Sequence, residues 1–369
     1  MRNPAVLEMA SASALAIEVH GHSWILRARQ GRSSAEVTGD ADTLAAILDG
    51  RRPGLKAFLD GHIHVRGSLA LAVQLETAFG NGHRHRRSPR ADRIRAGGVD
   101  TFYLEAGTGT PILLLHGLGG TNVSFLPTLW DLSTDHHVIA PDLPGHGDSG
   151  KPIRRYDAAF YGDWVVALLN TLGLDRVHLV GNSLGARVAL EVAMKAPERV
   201  DRLVLLAAAP IVHRLRQLVP LVRLLRPELA AIPIPMLRAE ALFALRGLFA
   251  KPSRMPDEWL EAAADEFVRV FRDPGARVAF FSSLREIYLE EPHGDLGYWN
   301  RLQSVSAPAL FVWGDHDPLV PPAHGRAIAA ALPHSRSVVL KDCGHVPQYE
   351  LPEATNRLIR DFLDPKPLH

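Results

Sequence analysis

At 369 residues, 47% hydrophobic and 22% charged, with 30 Gly and 27 Pro, the chain has the make-up of an ordinary globular protein of two domains or one large one, which excludes collagen-like and disordered classes. Forty-one Lys and Arg against 40 Asp and Glu leave a net charge of +1, so no global field recruits nucleic acid or an anionic membrane. One cysteine, Cys343, excludes a disulfide framework and a cysteine-based zinc cluster.

In chain order, Glu8 and Glu18 interrupt what would have to be an uncharged signal core, and no later window approaches about 18 uncharged apolar residues. The expectation is a soluble, cytoplasmic chain with no stable membrane span. Residues 14–20, 23–29 and 34–38 read as short strands bounded by glycines. Asp42 reads as the N-cap of a helix carrying Leu44, Ile47 and Leu48 and closed by Gly50, and residues 53–59 as a second helix. Residues 62–66 alternate as a strand does, and 69–79 repeat apolar residues at helical spacing. This run, with Trp24 on a strand, then DADTLAAILDGRRP and LDGHIHVRGSLALAVQLETAF, resembles the sterol-carrier-protein-2 lipid-transfer family over about 80 residues, without the helices that usually precede the sheet there. The resemblance implies a small α+β domain over residues 1–80 with a lipid as its ligand. The alternative is a module that only docks on its neighbour.

The stretch Gly80-Asn81-Gly82-His83-Arg84-His85-Arg86-Arg87-Ser88-Pro89-Arg90 is polar and basic, which places a linker at residues 81–96. It is short and lacks interleaved aromatics, so it reads as a solvated connector and not as a nucleic-acid patch. Beyond it strands alternate with helices, the rhythm of an α/β fold with a mainly parallel sheet covered on both faces. The strands fall at 101–105, 112–115, 137–140, 177–180, 203–206, 309–313 and 337–340, and helices at 161–172, 184–194 and 323–331. Gly107-Thr108-Gly109 has no helix after it and no acid placed for a ribose, so it reads as a hairpin turn and not as a dinucleotide site.

The decisive segment is Gly181-Asn182-Ser183-Leu184-Gly185, which takes an apolar strand straight into an apolar-periodic helix. A turn that tight holds the serine in strained backbone geometry, with glycines on either side to avoid clashes, and lifts its hydroxyl to a helix N-terminus. Serine is inert at neutral pH without a base and a group that orients the base. Downstream, one strand opens into Gly314-Asp315-His316-Asp317, offering Asp315 or Asp317 as the acid, and another into Asp342-Cys343-Gly344-His345, offering His345 as the base. Cys343 has no thiol motif of its own and reads as a small buried residue. No H-E-x-x-H or other spaced ligand set marks a metal, and the chemistry requires no cofactor.

The order Ser, Asp, His and the context of the pentapeptide make residues 97–369 resemble the α/β-hydrolase superfamily. The resemblance implies several assignments. Trp313, Gly314 and Asp317 match its W-G-x-x-D pattern, which selects Asp317 as the acid and leaves Asp315 to the turn. His116-Gly117-Leu118-Gly119-Gly120 resembles its H-G-x-x-G loop, which makes the N–H groups of Leu118 and Leu184 the oxyanion donors, with His116, Gly117, Gly181 and Gly185 as supports. The turn from Asp142 to Ser149 resembles its D-x-x-G-x-G-x-S element, with Asp142, His146 and Asp148 in structural roles. Epoxide hydrolases and haloalkane dehalogenases of this fold attack through Asp, and Ser183 argues against both.

About 100 residues separate Leu206 from Leu310, more than one crossover needs, so a helical cap is expected at about 211–300. Its first part, residues 213–226, holds five Leu, four Arg and one His without an acid. It reads as a cap helix with its Leu face packed down, or as a segment that lies on a membrane or admits a lipophilic acyl group. Trp259, Phe267, Phe271, Phe280 and Phe281 follow and imply an apolar acyl pocket. The expected activity is hydrolysis of a lipophilic carboxylic ester through an acyl-enzyme. One alternative is a carbon-carbon bond hydrolase acting on a vinylogous diketone, though Val346 stands where such enzymes carry an aromatic residue. Another is a lipid carrier with a vestigial hydrolase half.

Overall fold

The computed structural model describes residues 6–8, 13–20, 23–30, 33–72, 87–208, 219–232, 236–295, 297–322, 328, 331–332 and 334–364, with side chains from Ser34 onward. The N-terminal part is a five-stranded antiparallel meander in the order β1 (Val6–Glu8), β2 (Ser13–His20), β3 (Ser23–Gln30), β4 (Ser33–Asp40) and β5 (Ile63–Gly67). Helices α1 (Ala41–Leu48) and α2 (Gly54–Leu59) bridge β4 to β5, and α3 (Leu69–Ala72) follows. The N-cap of α1 is Asp40 and not Asp42: the Asp40 carboxylate accepts from the Thr43 N–H at 2.8 Å, and Asp42 falls in the first turn. The helix expected over 69–79 is described only as far as Ala72.

The larger part is an eight-stranded sheet in the order β13-β12-β11-β10-β8-β9-β7-β6. Its strands are β6 (Arg90–Ala96), β7 (Val99–Ala106), β8 (Thr110–Leu115), β9 (His136–Pro141), β10 (Val177–Asn182), β11 (Val200–Leu206), β12 (Ala309–Gly314) and β13 (Arg336–Leu340). The six strands from β13 to β9 run parallel, and β7 and β6 close one edge antiparallel. Strands β10 and β12 are buried at every residue, and β12 accordingly reads as an unbroken apolar run, while β10 is broken only by His178 and Asn182. The expected linker 81–96 therefore ends early, because residues 90–96 pair with β7. Charged Arg90, Asp92, Arg93 and Arg95 suit the solvent side of an edge strand, and that composition hid the strand in the sequence. Arg87 lies over the Trp130 ring at 4.0 Å, and residues 81–86 lie outside the described residues.

Gly107-Thr108-Gly109 is not a hairpin turn. It carries the chain from β7 across the start of β9 to β8, and a Cβ on Gly107 would meet the His136 carbonyl at 2.1 Å. Helices α4 (Leu126–Leu132), α5 (Ala158–Leu172), α6 (Leu184–Lys195), α11 (Tyr298–Leu302), α12 (Pro347–Glu350) and α13 (Pro352–Leu363) accompany the sheet, and between α6 and α11 the chain forms the cap helices α7 (Val219–Leu224), α8 (Arg238–Arg246), α9 (Asp257–Phe271) and α10 (Pro274–Leu289). Most of the helix expected over 323–331 lies outside the described residues, as do 209–218 of the cap. Among the described residues no helix is long and apolar enough to cross a membrane.

The two parts share one hydrophobic core. Leu44, Leu55, Phe58 and Val65 belong to the same cluster as Leu126, Leu129, Trp259 and Tyr349. Trp259 of α9 stacks on Phe58 at 6.2 Å, meets Tyr349 edge-on at 5.3 Å and donates from Nε1 to the Phe58 carbonyl at 3.2 Å. Trp259 therefore serves the seam between the parts and not the acyl pocket expected from its sequence neighbourhood.

Candidate active site

Strand β10 ends at Asn182, and Ser183 stands at the N-terminus of α6 with φ 54° and ψ −111°, a conformation that costs a non-glycine residue about 1–3 kcal/mol. The surroundings enforce it. A Cβ on Gly185 would lie 1.9 Å from the Leu115 carbonyl oxygen, and one on Gly181 would lie 2.4 Å from the Gly185 carbonyl carbon. The Ser183 N–H donates to the Leu206 carbonyl at 2.9 Å, locking the turn to β11. As the first residue of α6, Leu184 has an N–H without a partner inside the helix, aimed from the positive end of the helix dipole.

The loop after β8 lies against this turn. A methyl on Gly117 would come within 3.4 Å of Ser183 Cβ. The Gly120 N–H closes a turn onto the Gly117 carbonyl at 3.0 Å, with Gly119 left-handed at φ 73°, and this leaves the Leu118 N–H outside the turn's own bond. Buried His116 holds the loop's shape. Its Nε2 accepts from the Leu143 N–H at 2.9 Å, so Nδ1 carries the proton and donates to the Gly117 carbonyl at 2.8 Å. Burial, with His146 beside it, pushes the His116 imidazole down to about 3, so the ring stays neutral and supports the loop.

Asp317 and His345 come from the loops after β12 and β13, on the same edge of the sheet as Ser183. His345 Nδ1 meets Asp317 Oδ2 at 2.8 Å, with both side chains buried. The other Asp317 oxygen accepts the N–H groups of Leu319 and Val320 at 2.8 Å each, which fixes the carboxylate's orientation. Asp315 is a turn residue, accepting from the Cys343 N–H at 3.1 Å and pairing with His316 at 2.7 Å. Burial, then the charges of Glu350, Asp315 and Asp317, push the Cys343 thiol up to about 12, so it is no nucleophile near neutrality. Asn182 escaped sequence reasoning: its Nδ2 bonds both the Leu206 carbonyl at 3.2 Å and the His345 carbonyl at 3.1 Å, tying the serine turn to the histidine loop. A polar residue beside the serine was the only signal.

Asp142 organises the turn beneath the loop, accepting from the N–H groups of Asn122 and Asp148 at 2.7 Å each. Burial, then the charge of Asp148, pushes its carboxyl up to about 7. Above it, Arg269 of α9 forks onto Asp148 at 2.8 and 3.1 Å and reaches Glu266, pinning the cap to the sheet domain. Phe267 and Phe280 close over the turn at Gly119, where a Cβ would meet their rings at 3.1 and 3.0 Å. Phe271 stacks on Phe267 at 4.9 Å, and Phe281 meets Phe280 at 5.3 Å, so four of the five expected aromatics form one cluster at the site.

Further out, the expected Leu-down packing fails in the described part of the first cap segment. Helix α7 buries no residue, and Leu224 is 77% exposed. The backbone is what is held there: Arg277 donates to the carbonyls of Ala230 and Ala231, and Arg285 to that of Arg223. Among the described residues only Asp135, His136 and Asp364 converge at metal-ligand spacing. Asp135 and His136 lie at the start of β9 and Asp364 reaches His136 from the end of α13 at 3.1 Å, while Arg360 forks onto Asp135 at 2.8 Å, so they form an ion-pair network.

Residues 110–352 match the family model of the alpha/beta hydrolase fold. The chain is 32% identical over 294 residues, 79% of this chain and 74% of the other, to the dihydrolipoyllysine-residue acetyltransferase component of the acetoin cleaving system of Pseudomonas putida. It is 30% identical over 293 residues, 75% of this chain and 96% of the other, to a 2-hydroxy-6-oxononadienedioate/2-hydroxy-6-oxononatrienedioate hydrolase of the same species. Among solved structures it is similar to a bacterial membrane phospholipase A, with a TM-score of 0.62 and 28% identity over 75% of this chain and 86% of that one. With the family model matching residues 110–352, about two thirds of the chain, and Ser183, Asp317 and His345 all following strands of the main sheet, the chain belongs to the α/β-hydrolase family.

Proposed function

We propose that the protein hydrolyses carboxylic esters with an apolar acyl group through an acyl-enzyme on Ser183. The observation that carries this reading is the 2.8 Å bond between His345 and Asp317, with Asn182 tying the His345 carbonyl at 3.1 Å to the turn that holds Ser183 at φ 54°. In the first half-reaction His345 Nε2 takes the hydroxyl proton as Ser183 Oγ adds to the ester carbonyl, and Asp317, on Nδ1, stabilises the imidazolium. The N–H groups of Leu118 and Leu184 receive the developing oxyanion. His345 then passes the proton to the departing alcohol. Water, deprotonated by the same base, adds to the acyl carbonyl and releases the acid and Ser183. The Phe267 and Phe280 rings over the Gly119 turn supply the apolar wall for the acyl chain.

A second reading, carbon-carbon bond hydrolysis, is favoured by the 30% identity to a hydrolase named for 2-hydroxy-6-oxononadienedioate. Val346 speaks against it. A chain-length series of p-nitrophenyl esters, run beside a lactone and a vinylogous diketone, separates the two. Turnover that rises with acyl length supports the ester reading, and turnover of the diketone alone replaces it. Labelling of Ser183 by a fluorophosphonate tests the nucleophile, and an unlabelled wild-type protein would sink both readings.

A further inference from the structure

Glu350 closes α12 with its side chain buried at 3% exposure, and no part of the mechanism above uses it. Three main-chain donors converge on its carboxylate: Oε2 accepts from Gly344 at 2.7 Å and Ala250 at 3.2 Å, and Oε1 accepts from Lys251 at 2.7 Å. Gly344 precedes His345, whereas Ala250 and Lys251 belong to the cap, about 100 residues away in the chain. Along the same seam the His345 N–H donates to the Leu248 carbonyl at 2.7 Å, while its carbonyl accepts from Asn182 at 3.1 Å. Both main-chain polar groups of the base are thus held by other elements, one of which is the cap. The crossing is too close for any side chain but hydrogen at residue 344, where a Cβ would meet the Leu248 carbonyl oxygen at 2.3 Å. Asp342 adds an outer clasp, its carboxylate 2.8 Å from Lys251 Nζ and its carbonyl 2.6 Å from Arg254 Nη1.

We propose that Glu350 is a positioning residue that fastens cap residues 248–251 to the loop carrying His345, so that seating the cap and aligning the base are one event. The proposal rests on the reading of Ser183, Asp317 and His345 given above. A carboxylate suits the place because it only accepts, through two oxygens with room for about four hydrogen bonds. An amide of the same shape turns an NH2 group towards main-chain donors. Without the carboxylate the Leu248 carbonyl loses its register on His345, and the imidazole shifts relative to Ser183 Oγ. Displacements near 1 Å in such a site cost about 100-fold in rate.

The test compares wild type, Glu350→Gln and Glu350→Asp by kcat and KM for p-nitrophenyl acetate across pH, by the rate of fluorophosphonate labelling at Ser183, and by Tm. Glu350→Gln is expected to lower kcat and the labelling rate by about 30-fold with KM changed less than about threefold, and to move the pH limb that reports the base. Glu350→Asp, which keeps the charge, is expected to recover part of that loss. Leu44→Ala, a core truncation in the N-terminal part, is expected to lower Tm and leave kcat within about twofold. A Glu350→Gln protein with wild-type labelling rate and pH profile overturns the proposal, whatever its Tm. Should that variant fail to fold, Glu350→Asp decides: a slowed, pH-shifted enzyme supports the proposal, and lowered Tm with unchanged rates overturns it. Absence of labelling in wild type marks the failure of the catalytic reading itself and takes this inference with it.

Discussion

The turn around Ser183 and the outer edge of the cap differ in what holds them. At the serine, main-chain atoms meet main-chain atoms: Ser183 bonds Leu206, His345 bonds Leu248, and Gly185 lies so close to Leu115 that no side chain fits. In its described residues 221–232 and 236–243 the cap instead turns Leu221, Leu224, Leu225, Leu229 and Phe243 outward, and Arg277 and Arg285 of α10 reach it through backbone carbonyls. One region fixes geometry to fractions of an ångström. The other buries only small side chains such as Ala230 and Ala241 and leaves its large apolar ones facing outward, and such surface segments are where specificity varies among enzymes that share a scaffold.

Mutations can break this contrast or sharpen it. The largest effect is expected from Ser183→Ala, with kcat on p-nitrophenyl acetate reduced by at least about 10,000-fold while circular dichroism and Tm stay near wild type. Gly185→Ala should cost more than about 4 kcal/mol in a denaturant titration or prevent folding, since its Cβ would overlap the Leu115 carbonyl. Trp259→Ala should cost about 3–5 kcal/mol and open the N-terminal part to limited proteolysis, through loss of packing against Phe58 and Tyr349.

A smaller effect depends on pH. Burial pushes the His146 imidazole down to about 4, below its ordinary value, so the folded state keeps the ring neutral where the unfolded chain protonates it. This group's stability is present above about pH 6.5 and is lost as pH falls towards 4, up to about 3 kcal/mol in all. In His146→Asn the acid slope of stability between those values should flatten, as urea titrations at a series of pH values would reveal. The least effect belongs to the cap edge: Leu224→Ser with Phe243→Ser should change stability by less than about 0.5 kcal/mol per site. A large loss there would mean that the edge is packed after all.

Much of the site could be read from sequence because its requirements are local. A strand, a turn flanked by Gly181 and Gly185, and an apolar helix dictate the strained serine within five residues, and glycine spacing likewise marks the loop at Gly117. The same local logic misled where charge hid a strand at Arg90–Ala96, or where proximity in the chain grouped Trp259 with the phenylalanine cluster of the cap. Capping shows the resolution of such reading: Asp40 and Asp42 are both suitable residues, and only backbone geometry chose the first.

By itself, then, the sequence determined the alternation of strands and helices, the serine turn, and the order in which Ser183, Asp317 and His345 follow their strands, because steric exclusion and hydrophobic period act over a few residues. Tertiary structure alone decided that β6 joins the main sheet, that Trp259 seals the N-terminal part through Phe58, 201 positions away, and that Asn182, Leu248 and Glu350 hold His345. Those contacts join segments with no common period, and a single buried carboxylate facing three N–H groups leaves no mark on local hydropathy.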